Sequence, residues 1–595
     1  MENENFLFTP LGGGCEIGAN CYHFEWDGVS FLIDAGGHPD APGYFSLPDF
    51  YRVKKLDFVL ITHAHQDHIG SLAYLHKLFP DVPVYMTEET LAIAKIMMYD
   101  SLKFVRASRS VEGYMMYTRA DVESLLVSIQ TFSKSFEKNE IKITPYSSGH
   151  ILGSVGFMLE KNGKVVIFTS DTSKEDKATS KSIELPEVRA DLIISESTYG
   201  RFADKQSMPE RSHQYHVLTE YVKKIIDNGG SVIFPAFVIE RAQEILLIIN
   251  QAVKKGLLPD IPVFLAGLSI PITELHSKYL KLEFSYEVIS REEMEFLNNE
   301  EDGPYILITG SGMMNAGSSS SLHAENLLTD SRNGVIFTGY CAPGTGSFRL
   351  LHNNSDRFYM NGHMIPVRTQ QIFQFHISCH AGGRDLVEII SHFNPRNIVL
   401  IHGDNESIIT LKNRLSELGF NKIFTPENNE TVKFGSCESS LGESAAKRKA
   451  DFFETYESGN YDACSEIASG ILDDKPWDLE VLDIMSRISK SSLRAYYERK
   501  YYVILKMLCE KEMIEGNLDL ADHYLSIMSE VFSNRYIERN RIRIKKLQKK
   551  SGLYAGPVKK LPFYETNQDY KYYRAGNRDY NFSEEAVVGK ADQAE

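Results

Sequence analysis

The chain has 595 residues, 43% of them hydrophobic and 24% charged, which excludes a wholly disordered chain, a collagen and a coiled-coil rod. Its 64 Lys and Arg against 80 Asp and Glu give a net charge of −16, so a nucleic-acid site has to be a local basic groove, not a global basic field. Cys15, Cys21, Cys341, Cys379, Cys437, Cys464 and Cys509 show no CxxC spacing, which points to reduced thiols in a cytoplasmic compartment and to no thiolate metal site.

The opening MENENFLFTP has no basic stretch followed by an apolar one, so no secretory signal is expected. No run of about 18 apolar residues follows, so no membrane span is expected either. Up to about residue 435, short apolar runs alternate with amphipathic stretches. GVSFLIDAG, LDFVLITHAH, KVVIFTSD, ADLIISEST, GSVIFPAF, IPVFLAG, GPYILITGSG, NGVIFTGY and NIVLIHGD read as strands, rich in Val, Ile and Phe and ended by Gly, Asp, Ser or His. Asn228-Gly229-Gly230 stops a helix, and Arg241 to Ala252 places Ile245, Leu246, Ile249 and Ala252 on one helical face. Strands alternating with helices predict an α/β sandwich with its site at the strand ends.

From about 440 the strand signal vanishes and residues 444–550 are helical by pattern. Breaks are predicted at Gly459-Asn460-Tyr461 and Gly516-Asn517-Leu518. SGNYDACSEIASGILDDKPW fits one tetratricopeptide-like hairpin, with Cys464 and Ala468 on one face and Pro476 beyond. The spacing of the two breaks is far from the ~34-residue repeat, so a plain bundle stands equally. Arg535, Arg539, Arg541, Arg543, Lys545, Lys546, Lys549 and Lys550 surround the single acid Glu538. They make either a basic helix for nucleic acid or a solvated last helix whose cations complement its dipole. From Ser551 the chain is rich in Tyr, Asn and Asp and is expected to be disordered or extended.

The strongest chemical signal is Thr62-His63-Ala64-His65-Gln66-Asp67-His68, just past the apolar run LDFVLI. Imidazoles at alternating positions project to one side, and a carboxylate and a third imidazole follow at once. Zinc takes N and O ligands in a compact shell. Clustered His and an unpaired Asp at a strand end have little use in packing.

This HxHxDH pattern resembles the metallo-β-lactamase superfamily. Asp34 in FLIDAGG, His150 in SSGHILGS and Asp171 in VIFTSDTS stand at its remaining positions in order, and LGGGCEIGANC resembles its Gly-rich entry loop. SESTYG with Glu196, FPAFVIERAQE, GSGMMNAG, GYCAPGTGSFRLL, HISCHAGG with His380 and IVLIHGD with His402 resemble the β-CASP nucleases. The likeness covers roughly residues 5–430. It is shared with RNase J and with the RNA 3′-end-processing endonucleases; HISCHA looks more like RNase J, the core like both.

The resemblance implies an α/β fold: a metallo-β-lactamase αββα sandwich with an inserted β-CASP α/β domain and an all-α C-terminal domain. The expected boundaries are 1–205 for the first part of the sandwich, 206–364 for the β-CASP domain and 365–435 for the return. A helical domain over 440–550 and a tail over 551–595 would follow. It implies two Zn2+, one held by His63, His65 and His150, the other by Asp67, His68 and His402, with Asp171 bridging. Asp34 would orient a histidine, Glu196 would tune His380, and His380 would protonate the leaving oxygen; with Asp67 these carry the catalysis. The chemistry is coherent. Paired zincs generate hydroxide at neutral pH and clamp phosphate oxygens, and a histidine suits proton donation to an alkoxide.

The expected activity is hydrolysis of single-stranded RNA, by endonuclease or 5′-exonuclease action. A DNA nuclease of the same family, or a scaffold using the helical module, are the alternatives. His402 favours RNA, because DNA-directed relatives of the Artemis type commonly carry an aliphatic residue there. Thr345, Ser347 and Arg349, and the pair His376 and Ser378, are candidate phosphate contacts or else ordinary turn and structural residues. Tyr340 and Phe348 stack bases or belong to the core. A protein partner on the C-terminal helices and a homo-oligomer both stay open.

Overall fold

The computed structural model describes residues 6–39, 46–112, 116–203, 211–290, 293, 303–342, 344–353 and 355–434, then 445–458, 460–474, 479–489 and 518–531 with scattered helical positions over 501–545. These fall into two compact units. One comprises the described residues up to 208 and from 379 to 501, the other those from 209 to 378 and from 502 onward.

The first unit is an αββα sandwich. Its first sheet runs, in spatial order, Val432–Phe434, Phe6–Gly12, Cys21–Trp26, Val29–Ile33, Phe58–Leu60, Val84–Met86 and Ile129–Thr131. The second runs Ile423–Phe424, Asn397–Ile401, Leu192–Glu196, Lys164–Phe168, Val155–Lys161, Ile141–Ser147 and Phe136–Lys138. Alternation sends Phe8, Phe24, Phe31 and Phe58 from the first sheet and Ile143, Phe157, Phe168 and Ile194 from the second into one buried core. Phe31 stacks between Phe24 and Phe58, with both ring centroids 4.8 Å away, so the cross-strand aromatic ladder sets the register of three strands. Tyr22 reaches across to Phe168, 5.4 Å between centroids. The second sheet's outer face, Ile167, Ile193, Ile398 and Leu400, is covered by Leu386, Ile389 and Ile390 of helix Gly383–His392 and by Ile408, Leu411 and Leu415 of helix Asn405–Glu417.

The second unit holds a six-stranded, all-parallel sheet in the order Glu287–Val288, Val263–Ala266, Ile306–Thr309, Val232–Pro235, Gly334–Phe337, Gln371–Gln374. Both faces are buried, as parallel sheets require. Val232, Phe234 and Ile336 pack with Leu218, Val222, Ile245 and Ile249 of helices Arg211–Asp227 and Arg241–Lys254. Ile233, Leu307 and Val335 pack on the other side with Ala324 and Leu327 of helix Ser319–Leu327. The sequence reading assigns Gln371–Gln374 to the returning part of the sandwich; in the structure it pairs with Gly334–Phe337 in this sheet.

Beyond residue 440, helices Ala445–Glu457, Tyr461–Asp474, Leu479–Ile488 and Leu518–Val531 are described. The predicted break falls between the first two, where Asn460 accepts from Cys464 N at 3.0 Å, and Cys464 and Ala468 are both buried. Gly459, Pro476, Gly516, Asn517, most of the basic stretch 535–550 and all of 551–595 lie outside the described residues. Among the described residues no helix is long and apolar enough to cross a membrane.

Candidate metal centre and active site

The site residues come from the ends of sandwich strands. Asp34 follows Val29–Ile33, the histidine cluster follows Phe58–Leu60, Asp171 follows Lys164–Phe168, Glu196 ends Leu192–Glu196 and His402 follows Asn397–Ile401. Asp34, Ser170 and His402 all take left-handed backbone conformations, with φ of 64°, 59° and 50°. Such bends are costly for residues with a Cβ, and Asp and His tolerate them better than most. They turn each chain out of its sheet and into the site. Gly36 is required for a different reason: a Cβ there would stand 1.6 Å from the carbonyl oxygen of Asp67.

The chain gathers two groups of donors. His63, His65, His150 and Asp171 form one and Asp67, His68 and His402 the other, while Asp171 and His402 also cluster with Glu196; within each cluster the ligand atoms lie within 4.8 Å of one another. Nε2 of His63 and Nε2 of His150 are each 3.1 Å from Nδ1 of His65. Oδ2 of Asp171 is 3.7 Å from His63 Nε2, 3.6 Å from His150 Nε2 and 3.3 Å from His68 Nε2, so one carboxylate oxygen borders both groups. Asp67 Oδ2 is 3.6 Å from His68 Nε2 and 3.4 Å from His402 Nε2.

The opposite edges of the rings are tied down. Nδ1 of His68 donates to Asp34 Oδ2 at 2.7 Å, and Nδ1 of His150 donates to the carbonyl of Cys379 at 3.0 Å. Nδ1 of His63 donates to Thr62 Oγ1 at 3.0 Å, and that hydroxyl donates on to the Asp34 carboxylate. Asp34 thus aims two histidines, His68 directly and His63 through Thr62, leaving each Nε2 toward the centre.

A metal fits this donor set. Ligands about 2.0–2.1 Å from a tetrahedral zinc lie about 3.3 Å apart, close to the spacings in the His63, His65, His150 group. Burial keeps those three imidazoles neutral, His65 at about 4 and the other two well below their usual range, which is the form that binds metal. At the other group burial alone would lower His68 and His402. Asp171, Asp67 and Asp34 outweigh it for His68, and Asp171 foremost for His402, which rises to about 10. Buried carboxylates here call for positive charge, and a cation meets that need as well as two protons do. The buried Nε2 of His402 makes no hydrogen bond.

His380 stands at the rim, its side chain 22% exposed. Its Nδ1 donates to Glu196 Oε2 at 3.1 Å and lies 4.0 Å from Asp171 Oδ2. Burial alone would lower its pKa; Glu196 and Asp171 raise it instead, favouring the imidazolium. Glu196 is held in turn by Thr172, whose N–H and hydroxyl donate to Oε1 at 2.6 and 3.0 Å.

The other sequence candidates belong to the second unit. Thr345 accepts from Phe348 N at the start of helix Gly346–Leu351, its hydroxyl donates to Ala342 O at 2.5 Å, and Ser347 is buried 3.0 Å from it. Arg349 lies over the Phe358 ring and donates to Tyr359 O at 3.4 Å. Phe348 stacks on His352 and packs against the core. His376 is exposed and its carbonyl accepts from Gln214, while the Ser378 carbonyl accepts from Arg211.

Sequence reasoning assigned no role to Thr62, Asn20 or Tyr22. Asn20 Nδ2 donates to Asp67 Oδ2 at 3.2 Å and lies 2.9 Å from His68 Nε2, while Tyr22 OH donates to Asn20 Oδ1 at 3.0 Å. The available signal was an amide inside a Gly-rich loop, which by itself reads as a turn.

Three family models match: Metallo-beta-lactamase superfamily domain over residues 23–185, Beta-Casp domain over 242–350, and Zn-dependent metallo-hydrolase RNA specificity domain over 364–426. The chain is 29% identical over 454 residues to Cleavage and polyadenylation specificity factor 73 of Drosophila melanogaster, covering 73% of this chain and 64% of that one. It is 30% identical over 455 residues to Cleavage and polyadenylation specificity factor subunit 3-I of Arabidopsis thaliana, with the same coverage, 73% and 64%. Endoribonuclease YSH1 of Yarrowia lipolytica is 29% identical over 436 residues, 69% of this chain and 52% of that one. The chain therefore spans less than two thirds of the length of these relatives.

Proposed function

We propose that this chain, which carries metallo-beta-lactamase, Beta-Casp and RNA specificity domains, is a metal-dependent endoribonuclease that hydrolyses phosphodiester bonds of single-stranded RNA. The observation that carries the reading is Asp171 Oδ2, within 3.7 Å of imidazole nitrogens from both donor groups. It supports two Zn2+, one on His63, His65 and His150, the other on Asp67, His68 and His402, with Asp171 shared. When bound, such a pair supplies hydroxide at neutral pH and offsets charge on the phosphate.

The chain's own groups do the rest. Asp34 keeps Nδ1 of His68 protonated and its Nε2 directed inward. His380, whose pKa the Glu196 carboxylate raises, donates its proton to the leaving 3′ oxygen. Relatives named as endoribonucleases and as cleavage and polyadenylation factors favour internal cuts in RNA over DNA cleavage. The helices after 445 are assigned to a protein partner, and the compartment to the cytoplasm on the sparse cysteines of the sequence, which show no CxxC spacing.

The test is cleavage of matched linear RNA, circular RNA and single-stranded DNA by protein of measured zinc content. The expected result is about two zincs per chain, with linear and circular RNA cut far faster than DNA and leaving 5′-phosphate and 3′-hydroxyl ends. DNA cut as fast as RNA, 2′,3′-cyclic ends, or full activity after chelation would overturn it.

A further inference from the structure

The carboxyl ends of the parallel strands in the second unit lie along one edge, the place where open α/β sheets bind ligands. Phe237 follows strand Val232–Pro235 there, and Tyr340 follows strand Gly334–Phe337. Among the described residues Phe237 is the only exposed phenylalanine, 39% exposed, and Tyr340 is 48% exposed. Large aromatic side chains usually turn inward, and these two do not.

Phe237 is not loose on the surface. Its carbonyl accepts from Ala242 N at 3.1 Å, at the start of helix Arg241–Lys254. Its ring lies on two glycines: a Cβ on Gly312 would be 3.1 Å from Cδ2, and one on Gly339 would be 3.3 Å from Cε2. Any side chain at either position would crowd the ring from below. Gly339 directly precedes Tyr340, and its carbonyl accepts from Gln374 Nε2 at 2.9 Å, which holds the Tyr340 loop to the next strand. One residue earlier, the hydroxyl of Thr338 is buried without a hydrogen-bond partner. A backed aromatic face open to solvent, with a second exposed ring in the loop after the adjoining strand, is the build of a base-stacking platform. It needs no base-specific donors and accepts any nucleotide.

We infer that Phe237 and Tyr340 form a stacking subsite for the nucleobases of single-stranded RNA, an inference that rests on the RNA-cleaving function proposed above. The experiment titrates a fluorescent oligouridylate, and the same backbone without bases, against the full zinc-loaded chain and its variants on ice, with intactness checked on a gel. Wild type should prefer the oligouridylate over the abasic strand. F237A and the F237A/Y340A pair should lose affinity for the oligouridylate by about 5- to 100-fold, with little change for the abasic strand. F237L, which keeps apolar bulk, should behave like F237A, whereas F237W should bind like wild type, and zinc content should be unchanged in all of them. Equal affinity of F237A/Y340A and wild type for the oligouridylate, or equal loss on both strands, would overturn the subsite while RNA cleavage stands. A wild-type chain that neither binds nor cuts RNA would overturn the function, and the subsite with it.

Discussion

Asp34→Asn separates the aiming of His68 from the folding of the chain. The Asp34 carboxylate is fully buried and accepts from Thr62 N at 2.8 Å, from Thr62 Oγ1 at 3.0 and 2.8 Å, and from His68 Nδ1 at 2.7 Å. Alanine would strand three buried donors at about 1–3 kcal/mol each. The sum, about 3–9 kcal/mol, rivals the total stability of a domain. Asparagine keeps the volume and accepts the φ of 64° nearly as well as aspartate. Its oxygen can still serve Thr62, and through Thr62 the ring of His63. Its NH2 group, facing His68 Nδ1, can only donate. His68 then has to carry its proton on Nε2, the atom turned toward Asp67 and Asp171. Loss of such a partner costs about 10–100-fold in metal affinity, or about 1.4–2.7 kcal/mol. The assay is zinc per chain by mass spectrometry across a chelator series. One zinc of D34N should leave at a 10–100-fold weaker chelator activity than in wild type, while the other leaves as in wild type. Loss of both together, or of neither, would refute the assignment of Asp34 to the His68 side of the centre.

His380→Ala should keep its zinc and lose about 10²–10⁴-fold in kcat, the usual contribution of a positioned acid. His402→Ala should instead lose affinity for one zinc, so metal analysis alone distinguishes the two, and an exchange of those phenotypes would reverse the roles. Glu196→Gln should move the alkaline limb of the pH–rate profile to lower pH. The carboxylate raises the pKa of His380, and activity that needs the imidazolium is lost as pH rises through that pKa; an unmoved limb would separate Glu196 from the acid.

Local pattern was enough for the elements that carry the site. All nine apolar runs read as strands are strands, and Ile245, Leu246, Ile249 and Ala252 are buried on the helix whose periodicity announced them. The candidate donors were legible for the same reason. A cluster such as His63, His65, Asp67 and His68 is contiguous, and its chemistry has few structural uses. In the structure those residues stand together with His150, Asp171 and His402.

What tertiary structure alone decided is how distant parts meet. The carbonyl that holds His150 belongs to Cys379, 229 positions away, and nothing in either local sequence marks the pair. Gln371–Gln374 joins the inserted sheet because its backbone finds Gly334–Phe337, a choice of strand partner that hydrophobic pattern does not encode. Thr345 and Ser347 read in the sequence as either phosphate contacts or ordinary turn residues, and the fold places them in a helix cap and a buried hydroxyl pair. Thr62 reads as one more β-branched strand residue until Asp34 arrives beside it. Sequence sets which groups are present and which way each short element turns; which buried donor meets which acceptor is settled only when separate strand ends close around one charged centre.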